Sequence, residues 1–297
     1  MFHLLAASLL WAFSFGLIKG QLSGLDPVAV SCGRLLLAAA VFSPLVFKSR
    51  SSRATAIQAM GLGMLQFGLM YVLYIVSFRW LPAWMVALFT IFTPLYVVLI
   101  ADGLERKFRP RHLVCAVLAV LGAGLVVVTA MPADADWRGI LVLQGANLCF
   151  AAGQVGYVRL QRRSAGSQAV LMGWMYLGAG SLTLAGVLYV TAAGGRPLAG
   201  WDRQAWLVLL YLGLLPTALG FFLWNKGAAR VEAGVLAAAN NLKVPLAVLV
   251  SWLVFGEEAA YGRVLAGLVV IVGALFWARP RTRLKKGPRG TPAGGPS

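Results

Sequence analysis

Acidic side chains are scarce in this chain. Nine Asp and Glu stand against 26 Lys and Arg among 297 residues, and none lies in the interior of a predicted span. A carrier of cationic solutes needs a buried carboxylate, so that class is disfavoured. Histidine and cysteine are rarer still. His3 and His112 fall near segment ends without a partner motif, and Cys32, Cys115 and Cys149 sit inside apolar runs without CxxC spacing. No metal site or cofactor is read from them, and the cysteines read as small buried apolar residues. HExxH, GxSxG and paired intramembrane Asp are all missing, which argues against an intramembrane hydrolase, so no enzyme is expected. Charge overall is thin: 12% of residues are charged and 60% hydrophobic, with a mean hydropathy of +0.81. Such a chain has lipid for its solvent. The formal charge of +17 does not imply a nucleic-acid partner, because the cations are strung between apolar runs rather than gathered on one face.

What is present is a series of runs long enough to cross a bilayer: 3–20, 28–47, 56–79, 83–101, 111–130, 138–158, 168–192, 204–225, 232–254 and 261–278. About 20 residues at roughly 1.5 Å each span the hydrocarbon. The expected fold is therefore an all-α integral membrane protein of ten transmembrane helices. The first 20 residues lack a basic leader and read as the first span. With the amino terminus in the cytoplasm, eighteen Lys and Arg fall inside and six outside, leaving Arg34 and Lys243 in the membrane. The positive-inside rule then places both termini in the cytoplasm of a multi-pass cell (inner) membrane protein. The basic tail, 280–297, reads as disordered and close to anionic headgroups.

The chain also repeats itself. LPAWMVALFTIFTPLYVVLIADGLERKF, from Leu81, aligns with EAGVLAAANNLKVPLAVLVSWLVFGEEAA, from Glu232, so that Pro94 meets Pro245 and Gly122 meets Gly273. Two units follow, 1–131 and 132–279, each of five spans. Five is odd, so the halves enter the membrane in opposite senses, the arrangement of alternating-access carriers. Pro94 and Pro245 each remove a backbone hydrogen bond, and are expected to kink the fourth and ninth helices as gates or as fixed bends.

Lys243 is the sharpest site candidate. An ammonium at that depth costs on the order of 3 kcal/mol and must face protein or water. Three roles stay open for it: binding the carboxylate of a zwitterionic solute, exchanging its charge with a proton, or resting on backbone carbonyls at the Pro245 break and only shaping the cavity. Asn240 shares its helix face one turn away, whereas Asn241 is placed to bond a neighbouring helix. Arg34 is expected nearer the outer side, snorkelling in a structural or gating role. Phe67, Tyr71, Tyr74 and Phe78 make an aromatic stripe on the third span. With Trp11, Phe15, Trp84, Tyr157 and Trp174 they would wall a cavity, to which Gln66, Asn147 and Gln154 add neutral polar groups. Gly61, Gly63, Gly122, Gly124, Gly178 and Gly180 read as helix-packing positions.

SLLWAFSFGLIKG (8–20), Arg34 in VAVSCGRLLLAA, TPLYVVLIADGLERKF and VPLAVLVSWLVFGEEAAYGRVLAGLVVIVGALF (244–276) together resemble the EamA-type domains of the drug/metabolite transporter superfamily. The resemblance covers nearly the whole chain twice. It departs in the first repeat, where Leu104 separates Gly103 from Glu105, and in the sixth span, which has no counterpart of Trp11. It implies a ten-helix secondary transporter exporting small metabolites, often amino acids. In length and aromatic content the chain is also similar to YddG-type amino-acid exporters. The partners implied are a small-molecule substrate, an amino acid or similar metabolite, and membrane lipid. Nothing fixes the oligomeric state, and a monomer is compatible with all of this.

Overall fold

The computed structural model describes residues 2–49, 51–81, 86, 89–127, 136–164, 167–243, 246, 266, 269–270, 272–273 and 276. All the regular structure among them is helical. α1 (Phe2–Leu17) runs on into a π-turn at Ile18–Leu22, and α2 spans Pro27–Phe47. α3 covers Arg53–Ser77 with a π-helical stretch at Met64–Leu69, and α4 (Thr93–Glu105) follows a 3₁₀ turn at Thr90–Phe92. Then come α5 (Pro110–Val127), α6 (Trp137–Arg163), α7 (Gln168–Ala192), α8 (Arg203–Ala228, π-helical over Gly213–Gly220) and α9 (Ala233–Asn241). Five of these, α2, α3, α6, α7 and α8, are long and apolar enough to cross a membrane. The expected spans from 3 to 241 coincide with these helices to within a few residues at most ends. The tenth expected span, 261–278, and most of the ninth lie outside the described residues.

Helix starts follow local chemistry. Asp26 accepts from the backbone N–H of Val28 and Ala29, Ser52 from Thr55, Asp136 from Arg138 and Asp202 from Ala205. Each side chain replaces a missing intrahelical acceptor. α4 ends at Arg106, a non-glycine in the left-handed region (φ 50°). The turn after it is tied down by the Arg109 backbone N–H donating to Asp102 at 2.9 Å, and by the Arg109–Glu105 ion pair.

The outer surface is apolar: Leu36, Val41, Leu45, Leu99, Leu148 and Leu188 are all exposed. Polar groups such as Ser31, Arg34, Gln66, Asn147, Gln154 and Asn225 are buried instead. That inversion is what a lipid solvent demands, since acyl chains offer no hydrogen bonds. α2 packs along α7, α3 against both α6 and α7, and α8 against both α1 and α2. Gly63 and Gly178 make the α3–α7 approach possible. A β-carbon on Gly63 would strike the Met175 backbone, and one on Gly178 would strike that of Met60. Gly180 rests against Leu36, whereas Gly61 faces open space and packs nothing.

Candidate functional site

Pro94 lies in the first turn of α4, and the helical chain at Val86 and Phe89 reaches it through a 3₁₀ turn at Thr90–Phe92, so the fourth expected span is broken just ahead of the proline. The carbonyls this break releases are taken by two asparagines from the second half. Asn147 donates to Phe89 O at 2.9 Å and accepts from Thr93 Oγ1 at 3.1 Å, and Asn241 donates to Ile91 O at 3.0 Å. Asn241 thus ties α9 to the start of α4, the interhelical role read from its position.

A second break organises the other wall. α8 carries Pro216 inside its π-helical stretch, and a proline within a helix removes one N–H and displaces the carbonyls behind it. Each freed group has a partner. Thr217 Oγ1 donates to Leu212 O at 2.7 Å, the Trp11 indole donates to Pro216 O at 3.0 Å, and the Tyr176 hydroxyl donates to Thr217 O at 2.6 Å. Nothing in the sequence reading singled out Pro216, although Gly213, Pro216 and Gly220 within one apolar run were the signal.

Arg34 is held by this second break. Its Nε donates to Thr217 Oγ1 at 3.2 Å and its Nη2 to the Tyr71 hydroxyl at 2.9 Å, with the guanidinium carbon 4.2 Å from the Tyr71 ring centre. It is 1% exposed, so the expected snorkelling does not occur: fixed acceptors and a ring face replace water around it. Its Nη1 is buried without a hydrogen-bond partner among the described residues. Lys243 points into the same space, with Nζ 5.9 Å from the Trp11 ring.

Both cations line a cavity of about 90 Å³, with Trp11, Tyr71, Tyr74, Phe150 and Phe221 as its apolar wall and Ser14, Thr90, Thr93 and Asn147 as neutral polar groups. None of the lining residues is acidic. The expected Lys243, Arg34, Trp11, Tyr71 and Tyr74 are therefore brought together. Phe150, Phe221, Thr93 and Thr90 join them unanticipated; Thr93 was legible as the neighbour of Pro94, Phe221 was not. Tyr157 is not in this wall, being buried elsewhere with its hydroxyl donating to Gln161. Trp174 packs against the core away from the cavity. Asn240 is buried one turn from Lys243, and neither of its amide atoms has a partner among the described residues. The side chain of Phe15, and Trp84 and Pro245, lie outside the described residues.

Gln154 is placed differently from the expectation. Its Oε1 accepts from the Trp224 indole at 2.7 Å and from Gln66 Nε2 at 3.4 Å, and it faces a second, larger cavity of about 600 Å³ between α4, α5, α6 and the α8–α9 turn. Trp11, on the wall of the first cavity, has its ring 5.1 Å from that of Trp224, which donates to Gln154, and 6.5 Å from that of Phe150.

The described helices turn leucines outward and bring Arg34 and Lys243 to a small aromatic cavity with no acidic lining residue, the build of a membrane transporter. The chain belongs to the EamA-like transporter family, whose model matches residues 1–128 and 137–279. It is 39% identical over 277 residues to a probable biotin transporter of Pseudomonas aeruginosa, covering 93% of this chain and 96% of that one. It is 34% identical over 285 residues to the biotin transporter of Salmonella typhimurium, at 94% of each chain. A riboflavin transporter of Brucella anthropi is 21% identical over 262 residues, covering 87% and 89%. A crystal structure of a protein 19% identical shares the fold, with a TM-score of 0.73 over 93% of this chain and 96% of that one.

Proposed function

We propose that this chain carries biotin, or a solute built like it, across the cell membrane, with the carboxylate seated between Arg34 and Lys243 and the ring system against Trp11, Tyr71 and Phe221. The observation that carries this reading is the pairing of two cations, with no acidic side chain, on one aromatic cavity. An anion there gains charge-assisted hydrogen bonds from a buried Arg34 and a half-buried Lys243. The names of the relatives at 34–39% identity support the same solute. Amino acids, expected from the resemblance, are disfavoured by the same charges. An α-ammonium would sit beside two cations with no carboxylate to receive it.

Ligand sites commonly occupy about 300–1,000 Å³, so a 90 Å³ cavity holds only a few waters' worth of space and has to widen to admit a solute. Loading requires the Trp11–Trp224 pair to move. Alternating access between two inverted halves supplies such a movement. Two features support that arrangement: the contacts α1–α8 and α3–α6 pair first helices with third helices across the halves, and π-helical stretches occur in both third helices. Both termini lie in the cytoplasm on this reading, and net flux, export included, follows the gradient applied.

Reconstituted vesicles given labelled biotin test this directly. Wild-type protein is expected to exchange biotin, with unlabelled biotin competing and riboflavin, which has no carboxylate, failing to compete. Lys243→Ala and Arg34→Gln should each lower flux tenfold or more, as loss of a hydrogen bond to a charged group is worth roughly 1.5–3 kcal/mol. Exchange of leucine but not biotin by the wild type, or unchanged flux in both folded variants, overturns the proposal.

A further inference from the structure

The 600 Å³ space has a chemistry of its own. Its floor is apolar, made by Val97 and Ala101 of α4, Val155 and Val158 of α6, and Leu236 of α9. Its rim carries Arg109, Arg111, Arg159, Arg162 and His112 against two carboxylates, Glu105 and Glu232. Both carboxylates are already engaged: Glu105 pairs with Arg109, and Glu232 Oε2 lies 3.4 Å from His112 Nε2. Arg159 and Arg162, three residues apart on one face of α6, make no hydrogen bond or ion pair among the described residues, although Arg159 acts on Glu105 through space. At the inner end the Gln154 side chain is fully buried, and its Nε2 has no partner among the described residues. A buried donor left unpaired is costly unless something visits it.

α6 threads both spaces. Ala146, Asn147 and Phe150 face the central cavity, and from Gln154 onward the same helix faces the larger one. Phe150 and Gln154 are one turn apart, about 6 Å along the axis. The two spaces thus follow one another along α6, with Trp11 and Phe150 on the wall of the first and Gln154, held by the Trp224 indole, on the wall of the second.

We infer that the larger compartment is a second binding site, a waiting position for the same class of solute: a small monocarboxylate with an apolar or ring body. Arg159 and Arg162 receive the carboxylate, the Val155–Val158 floor takes the body, and the Gln154 amide meets a polar group at the leading end. Arginines that served topology alone would need neither an amphipathic chamber of ligand size nor a buried amide turned toward it. The inference rests on the reading of the chain as a carrier of carboxylated solutes.

Equilibrium dialysis of labelled biotin against the full-length protein in detergent tests it, alongside vesicle exchange. Wild type is expected to bind two equivalents. Arg159→Gln/Arg162→Gln should bind one and show a KM for exchange raised about tenfold with kcat within about twofold, the pattern of lost encounter rather than lost translocation. Arg159→Lys/Arg162→Lys, which keeps the charge and the topology signal, should restore much of the second equivalent. Lys243→Ala should instead lose the other equivalent and the flux. A wild type that exchanges biotin but binds a single equivalent, or a double Gln variant with unaltered stoichiometry and KM, overturns the second site and leaves the central one standing. A wild type that neither binds nor exchanges biotin removes both.

Discussion

At the scale of single residues, the protein is ruled by what Arg34 and Lys243 are denied. Neither meets a carboxylate among the described residues, and Arg34 is instead spread over Thr217, Tyr71 and the Tyr71 ring. Tyr71→Phe keeps the ring but removes the hydroxyl. It is expected to lower stability by roughly 1.5–3 kcal/mol, the worth of a hydrogen bond to a charged group, read as a drop in thermal midpoint in detergent. Added biotin should recover part of that loss, because a ligand that binds only the folded state raises the midpoint. Lys243 and Tyr71 were legible in the sequence, an ammonium in hydrocarbon and an aromatic stripe being departures from the lipid rule. The burial of Arg34 was not. Its depth depends on a hydroxyl 183 residues away, and no local pattern reports such a pairing.

At the scale of elements, helix existence was legible from apolar runs, but the character of the helices was not. Pro94 reads as a kink from sequence, and the break ahead of it takes the form of a 3₁₀ turn whose freed carbonyls go to Asn147 and Asn241, partners that no local pattern announces. Glycines divide in the same way. Gly63→Ala and Gly178→Ala push a methyl into opposing backbone, so each is expected to lower the thermal midpoint sharply, overpacking costing about 1–3 kcal/mol or more. Gly61→Ala meets nothing and should raise it slightly, by up to about 1 kcal/mol of helix propensity. The α4–α5 turn carries its own pH dependence. Hydrogen bonding from Arg109 holds the Glu105 carboxyl below its ordinary range. The folded value being the lower, the contribution is present above the unfolded carboxylate range and fades as pH falls through the folded one. Glu105→Gln should remove that acid sensitivity, as seen in unfolding midpoints compared at mildly acidic and neutral pH.

At the scale of the whole molecule, two cavities along α6 and a bundle with polar groups inward and leucines outward describe a membrane transporter. Topology follows from the cation count: a fluorescent-protein fusion at either end should light up in the cytoplasm, and a periplasmic phosphatase fused to the carboxy terminus should stay silent. The pairing of Arg34 with Lys243 has a consequence beyond recognition. On the proposed reading, with both protonated, the empty cavity bears two positive charges and the biotin-loaded one a single charge, and reorientation would move unequal charge through the membrane's electric field. Each elementary charge weighs about 2.3 kcal/mol per 100 mV if it crosses the whole field, so voltage acts more strongly on the unloaded form. Net biotin movement should respond to an imposed potassium diffusion potential, while one-for-one exchange, which never sends the empty form across, should depend on it far less.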